Sequence, residues 1–283
     1  MPTDDNLSSR RARLGERLQR LRKATGVSGR KMAADLGWSQ PKISRTEAGL
    51  NVPPIEDIRR WLDYCDAPEQ QKQEMLGLAE EVATEVVTHR ELNRGGHAAQ
   101  QRVRIKHDAD ADLISIYQPE VIPGLLQTPE YTRRLLLATG SATPDSVAES
   151  VAARLERQAI IYDESKTIHA VITETALAWQ PWPASVSREQ LDRLRTLAAL
   201  PNVHIGIVSR EQQKKAPTSN SFVLTHWPDG AMDVVVESLT AEVTITDPDG
   251  VAVYQDMFKH QQQYAAYGED ALPLLERVAG ELD

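Results

Sequence analysis

The sequence predicts a multidomain protein: an all-α head of five helices, a helical linker and a mixed α/β (α+β) domain. Three features carry that prediction. Apolar residues recur at helical spacing from Leu14 to Val86, strand-like and helix-like runs alternate from Leu113 onward, and the charge is divided. Residues 1–60 hold 13 Lys/Arg against 7 Asp/Glu, so they carry +6 of a chain whose net charge is −9, leaving −15 on the rest. A basic head on an acidic body suits a protein that meets a polyanion at one end only.

Helix one, Ser9 to Thr25, has Leu14, Leu18 and Leu21 on one stripe and stops at Gly26. Ser28 caps helix two, whose inward residues are Met32, Ala33 and Leu36, and Gly37 ends it. Ser39 caps a third helix with Pro41 in its first turn, where a missing N–H costs nothing. Gly49 and Asn51 then make a turn, and Pro53-Pro54 open helix four, with Ile55, Ile58, Leu62 and Cys65 at helical spacing. Helix five starts at Pro68 and carries Met75, Ala79, Val82 and Val86. Cys65 is the only cysteine and sits on an apolar stripe, so it reads as a small core residue rather than a nucleophile. A single cysteine also excludes an internal disulfide and suits a reducing cytoplasm.

The third helix has a divided surface. At about 100° per residue, Ile43 and Thr46 point one way while Gln40, Pro41, Ser44 and Arg45 point the other. An amide, a guanidinium and a small hydroxyl are the groups that pair with base edges in the DNA major groove: Gln with adenine, Arg with guanine, Ser with either. Pro41 donates no hydrogen bond, so apolar contact, as with a thymine methyl, is expected of it. Helices two and three are joined by a short Gly-containing turn, as in helix-turn-helix geometry. These residues are therefore expected to read bases.

The run GVSGRKMAADLGWSQPKISRTEAG resembles the helix-turn-helix of lambda-repressor-like (XRE-type) DNA-binding domains, over roughly residues 10–80. The resemblance implies base contacts from Gln40, Pro41 and Arg45, and phosphate contacts from Ser28, Gly29, Arg30 and Asn51. Ser39 and Lys42 are added as phosphate contacts on the same helix. Gly29 departs from the pattern, since the family commonly has a glutamine there. The family also pairs an arginine late in helix one with a glutamate near the end of the reading helix; here these are Arg22 and Glu47, implied to form a structural ion pair.

Domain boundaries are expected at 1–80 for the head, 81–112 for the linker and 113–283 for the second domain, with Gly95-Gly96 as a break or hinge. Arg102, Arg104 and Lys106 read as a solvated basic face. Asp108, Asp110 and Asp112 imitate the start of a calcium loop. However, Leu113 stands where glycine is needed and Pro119 where the bidentate glutamate belongs, so no calcium site is expected. His89, His97 and His107 have no partner at metal-ligand spacing.

Strands are predicted over ISIYQPEVI, IHAVITETAL, NVHIGIVS, SFVLTHW, MDVVVES and EVTITD, with turns at Pro228-Asp229-Gly230 and Pro248-Asp249-Gly250. Helices are predicted after Thr128, after Thr143-Pro144, after a capping box Ser187 to Gln190, over Val251 to Tyr264 and over Asp270 to Leu282. The runs IYQPEVIPGLLQTPEY, ARLERQ, LDRLRTLAALPNV and ESLTAEVTITDPDGVAVY are similar to the C-terminal domain of a large group of actinobacterial XRE-type regulators, over almost all of residues 81–283. That similarity implies one reading head with one sensing or assembly domain, a small companion protein as partner, and no agreed ligand.

No nucleophile elbow, phosphate-cradling glycine loop or zinc signature is present in the sequence. Glu120, Glu174 and Glu237 read as solvated or ion-paired, and His169 and His204 as half-buried structural residues. Trp179, Trp182 and Trp227 read as packing residues, with an aromatic pocket as the alternative. No apolar leader or membrane-length run occurs.

The expectation is a cytoplasmic homodimeric transcription regulator that binds double-stranded operator DNA, without metal, cofactor or catalytic residues. Its second domain would supply dimerisation and receive a small-molecule effector. Two alternatives remain: a protein-interaction module for a small companion protein, or an enzyme domain fused to a DNA-targeting head.

Overall fold

The computed structural model describes residues 7–50, 53–88, 96–216, 219–238 and 241–282. The protein is multidomain, with an N-terminal helical region followed by a mixed α/β region, and its residues fall into two compact units. One unit comprises residues 1–91 with 226–252; the other comprises 92–225 with 253–283. Residues 226–252 thus group with the head, although their sequence reads as part of a continuous second domain.

The head is built from α1 (Leu7–Ala24), α2 (Gly29–Leu36), α3 (Gln40–Glu47), α4 (Ile55–Tyr64) and α5 (Glu69–Ala83), followed by β1 (Thr84–Thr88). Val86 therefore belongs to a strand and not to the fifth helical stripe. Ser28 and Ser39 cap α2 and α3, their hydroxyls accepting from the Lys31 and Lys42 N–H groups. Gly37 adopts φ 70°, and the Trp38 N–H returns to the Ala33 carbonyl, so α2 stops within one residue. Leu14, Leu18, Met32, Ile43, Ile58, Trp61, Leu62 and Met75 fill the core between the helices. Cys65 lies on the edge of this core, and burial pushes its thiol up to about 11, so it stays protonated at neutral pH.

The second unit begins with α6 (Gly96–Asp108) and β2 (Leu113–Gln118), then α7 (Pro129–Ala138), α8 (Val147–Gln158) and β3 (Thr167–Thr173). It continues with α9 (Glu174–Ala178), α10 (Ala184–Ala198), β4 (Val203–Val208), α11 (Arg210–Gln213) and β5 (Phe222–His226). Strands β2, β3 and β4 pair in parallel, in the registers Ile114↔Ile168 and Ile168↔Val203. Their near-continuous apolar runs follow from burial on both faces of a parallel sheet.

The strands β6 (Met232–Glu237) and β7 (Ala241–Ile245) belong to the head's unit. There β7 pairs antiparallel with both β6 and β1. The chain ends with α12 (Pro248–Tyr264), β8 (Ala265–Ala266) antiparallel to β4, and α13 (Leu272–Gly280).

The structure departs from the sequence expectation at three places. IHAVITETAL is a strand only as far as Thr173, whose hydroxyl accepts the Ala176 N–H and turns the chain into α9. Ser187 to Gln190 is not a capping box, because α10 opens at Ala184 after Pro183 and both side chains are buried inside it. Ser187 accepts from the Trp182 indole, while Gln190 accepts the Thr128 N–H and donates to the Leu126 carbonyl. Pro248-Asp249-Gly250 is the first turn of α12 rather than a hairpin turn, with the Asp247 carboxylate accepting the Gly250 N–H.

A buried polar network explains the PGLLQT run. Gln127 donates to the Ile122 carbonyl and accepts from Thr132 and Arg154, while Gln158 donates to the Gly124 and Gln127 carbonyls. A buried segment whose only helix is the three-residue 3-10 turn Gly124–Leu126 leaves backbone groups that side chains must satisfy, and Gln127, Gln158 and Gln190 do so. No helix among the described residues is long and apolar enough to cross a membrane.

Candidate nucleic-acid interface

Helix α3 is seated on the head by two glycines and an ion pair. A Cβ on Gly15 would lie 2.5 Å from the Thr46 carbonyl oxygen, so α1 passes directly against the C-terminus of α3. Gly49, at φ 67°, ends α3 while the Leu50 N–H returns to the Arg45 carbonyl; a Cβ there would meet the Ala12 backbone at 2.9 Å. Arg22 forks onto Glu47, with Nη2 to Oε2 at 2.8 Å and Nε on Oε1, while its Nη1 donates to the Val27 carbonyl at 2.7 Å. Gln19 adds a further hydrogen bond to Glu47. The hydrogen bonds that Arg22 donates to Glu47, opposed by burial, hold its guanidinium above its ordinary pKa.

Gln40, Pro41 and Ser44 are exposed along α3, as are Ser28 and Arg30 at the start of α2; Gly29 is half-buried. Between the two helices runs a cleft of about 550 Å³ that includes Ser28, Gly29, Arg30, Gln40 and Ser44, with Ile43 in its wall. A Cβ on Gly29 would stand 3.3 Å from the Ile43 methyl, so any side chain there starts against α3; glycine keeps this mouth open. Asn51, expected to hold phosphate, lies outside the described residues, as does Gly95 of the expected hinge.

Three expected DNA contacts are differently engaged. Arg45 is not on the open surface: its Nη2 donates to Asp229 Oδ2 at 2.6 Å, and its guanidinium carbon lies 5.2 Å from the centre of the Trp227 ring. The two charged side chains are only 4% and 5% exposed. Ser39, besides capping α3, donates its hydroxyl to the same Asp229 oxygen at 3.1 Å. Lys42 is also buried, with Nζ 2.6 Å from Asp57 Oδ2 and 4.8 Å from the centre of the Trp38 ring. Its placement follows from helix geometry: residues 42 and 46 share a buried side of α3, and Lys42 reaches from it to Asp57 in the first turn of α4.

Asp57, Trp227 and Asp229 are thus the residues around α3 that local sequence reading misses. Asp57 had a weak signal as an acid in the first turn of α4. Asp229 appears in the sequence only as the middle of a Pro-Asp-Gly turn.

The other candidates resolve into structural roles. Glu174 is completely buried and bound by Arg277 through Nε at 2.9 Å and Nη2 at 2.6 Å, and it also accepts the Arg210 N–H. Asp108 is buried against Arg157 and His107. Burial opposes its charge, but the Arg157 guanidinium and the hydrogen bond with His107 hold the carboxyl below the usual range. Its side chain is thereby committed to an ion pair and not to a calcium loop.

His169 lies across from His204 in the β3–β4 register and contacts the Tyr267 hydroxyl at 3.0 Å. Burial, then the neighbouring His204, pulls its pKa down to about 4, so the ring is neutral at pH 7. Trp179 and Trp182 make an edge contact with each other, and Trp182 packs on Tyr131. Trp227 belongs to the head's unit and lies under Arg45. Among the described residues, no three His, Cys, Asp or Glu side chains are grouped so as to hold a metal ion.

Two family models match the chain. One, described as a helix-turn-helix domain, covers residues 13–75; the other, a domain of unknown function (DUF5753), covers residues 101–277. No curated protein matches it.

Proposed function

Because the chain belongs to the DUF5753 domain family and carries a helix-turn-helix domain ahead of it, we propose that it is a sequence-specific regulator of transcription that binds double-stranded DNA through α3. One observation carries this reading. Gln40, Pro41 and Ser44 are exposed beside an open cleft whose other wall, at Ser28 to Arg30, offers a serine hydroxyl, backbone and an arginine. A duplex needs both kinds of group: base-edge partners on an inserted helix and cations or N–H groups for the flanking phosphates.

In this reading Gln40 pairs with adenine, Pro41 touches an apolar base edge and Ser44 takes either acceptor or donor. Ser28, Gly29, Arg30 and Asn51 hold phosphates, which orient the helix and make affinity fall with salt. The regulator is XRE-type and cytoplasmic, and works as a homodimer on a pseudo-palindrome with half-sites about one helical turn, ~34 Å, apart. The DUF5753 domain contributes the dimer contact and receives a small-molecule signal, with no catalytic role.

Selection of full-length protein against a random duplex library tests this. A two-fold-related pair of half-sites, with binding that weakens as salt rises, is the expected result. Failure to enrich any sequence, with or without Asp229→Asn, would overturn it.

A further inference from the structure

We propose that the turn Trp227–Ala231 is an internal competitor for DNA: Asp229 and Trp227 occupy Arg45 on the reading helix, and the turn must withdraw before that end of the helix can be used. The proposal rests on α3 being the DNA-contacting helix.

Arg45 follows Pro41 by four residues, so the two side chains lie within about 40° of each other around the axis and one turn apart along it. The exposed face formed by Gln40, Pro41 and Ser44 therefore continues into Arg45. There it is closed. With both partners almost wholly removed from solvent, neither a base edge nor a phosphate oxygen can reach the guanidinium while the turn is in place.

The chemistry of the occupant matches what it excludes. A single Asp229 oxygen accepts from the Arg45 guanidinium and the Ser39 hydroxyl, the two donors expected to meet a base and a phosphate. An anionic oxygen with charge-assisted hydrogen bonds is what a phosphate would offer the same groups. Trp227 supplies a flat aromatic face to the guanidinium.

The turn is also built to deliver this carboxylate. Trp227 donates its N–H to the Ala231 carbonyl at 3.0 Å, and Gly230, at φ 80°, donates to the Trp227 carbonyl at 2.9 Å. The second Asp229 oxygen accepts the Ala231 N–H at 3.1 Å. A Pro-Asp-Gly turn closed in this way presents Asp229 without depending on Arg45 for its own shape.

A protein whose binding-competent state is only partly populated binds its ligand more weakly by that fraction. Neutralising the turn should therefore tighten DNA binding, mostly through the charged Arg45 and to a lesser extent through Ser39. The test uses full-length wild type, Asp229→Asn, Arg45→Ala and the double variant on the duplex enriched by either of the first two. Asp229→Asn keeps an oxygen for the Ala231 N–H but removes the charge.

The expected result is binding at least tenfold tighter for Asp229→Asn than for wild type, with a gain of less than threefold when the same change is made in Arg45→Ala, where only Ser39 is released. Amide exchange at Gly230 and Ala231 of the wild type should also accelerate on adding duplex, a readout that needs no variant. If both proteins enrich a site and Asp229→Asn binds it no more tightly, or if those amides do not accelerate, the competitor is refuted while α3 keeps its DNA role. If neither enriches any sequence, the DNA reading and the competitor fall together.

Discussion

Two buried arginine–carboxylate pairs involve the same eight-residue helix, and they differ in how far along the chain each guanidinium finds its carboxylate. Arg22 reaches both oxygens of Glu47 and a backbone carbonyl, and Gln19 supports the carboxylate from the side. Every group in that cluster comes from within 30 residues of the others. Arg45 instead meets one oxygen of Asp229, which lies 184 residues away and shares that oxygen with Ser39. The first pair fixes α3 to its scaffold. The second covers the part of α3 that would otherwise face outward, and a cover is useful only if it can be lifted.

That contrast is broken most directly at Glu47. Removing it leaves Arg22 charged among α1, α2 and α3, where water has little access. Losing one partner of a buried pair typically costs about 3–5 kcal/mol. Glu47→Ala in the full chain should therefore show the largest loss in a chemical-denaturation measurement, with the loss confined to the unit that holds the head. A loss below about 1 kcal/mol would place Arg22 in solvent and erase the distinction between the two pairs.

Gln40→Ala probes the open end of the helix. It removes a bidentate partner worth about 1–3 kcal/mol of discrimination at one base pair, and should relax selection at that position alone. Affinity that falls equally on every duplex would instead make Gln40 a positioning contact.

Asp229→Asn should cost less than half as much stability as Glu47→Ala. Once the turn loosens, the Arg45 side chain lies on the outward side of α3 and can regain water, whereas Arg22 cannot. Equal costs for the two variants would mean that both pairs are scaffold.

How much of this is legible in the sequence depends on the range of the signal. The head is written locally: Ser28 and Ser39 as caps, Gly37 as a stop, and Leu14, Leu18, Met32 and Ile43 at helical spacing all lie where helix periodicity puts them. The parallel strands β2 to β4 announce themselves as apolar runs for the same reason. Local reading falls short where a long-range partner is superimposed on a local pattern. Ser187 and Gln190 have cap spacing, yet Trp182, Leu126 and Thr128 draw them inward. Thr173 lies inside an alternating run but turns its chain into a helix to bury Glu174 against Arg277. Arg45 has the position of a base reader, and no neighbour in sequence hints that a turn 184 residues on will take it.

Lys42 gives the smallest expected effect and the sharpest test of where the interface ends. Its position on α3 suggests a phosphate contact, which would make Lys42→Met lower the slope of log Kobs against log salt by about one unit. The ammonium is instead closed in by Asp57 and the Trp38 ring, with Arg60 on the same ring. A cation neutralised by its own protein releases no counterion from a duplex. The slope should therefore be unchanged in Lys42→Met, while Arg30→Met, at the exposed start of α2, should lower it by about one. A reduced slope for Lys42→Met would mean that DNA draws the lysine away from Asp57. The boundary between committed and available cations on α3 would then be set by the duplex rather than by the fold.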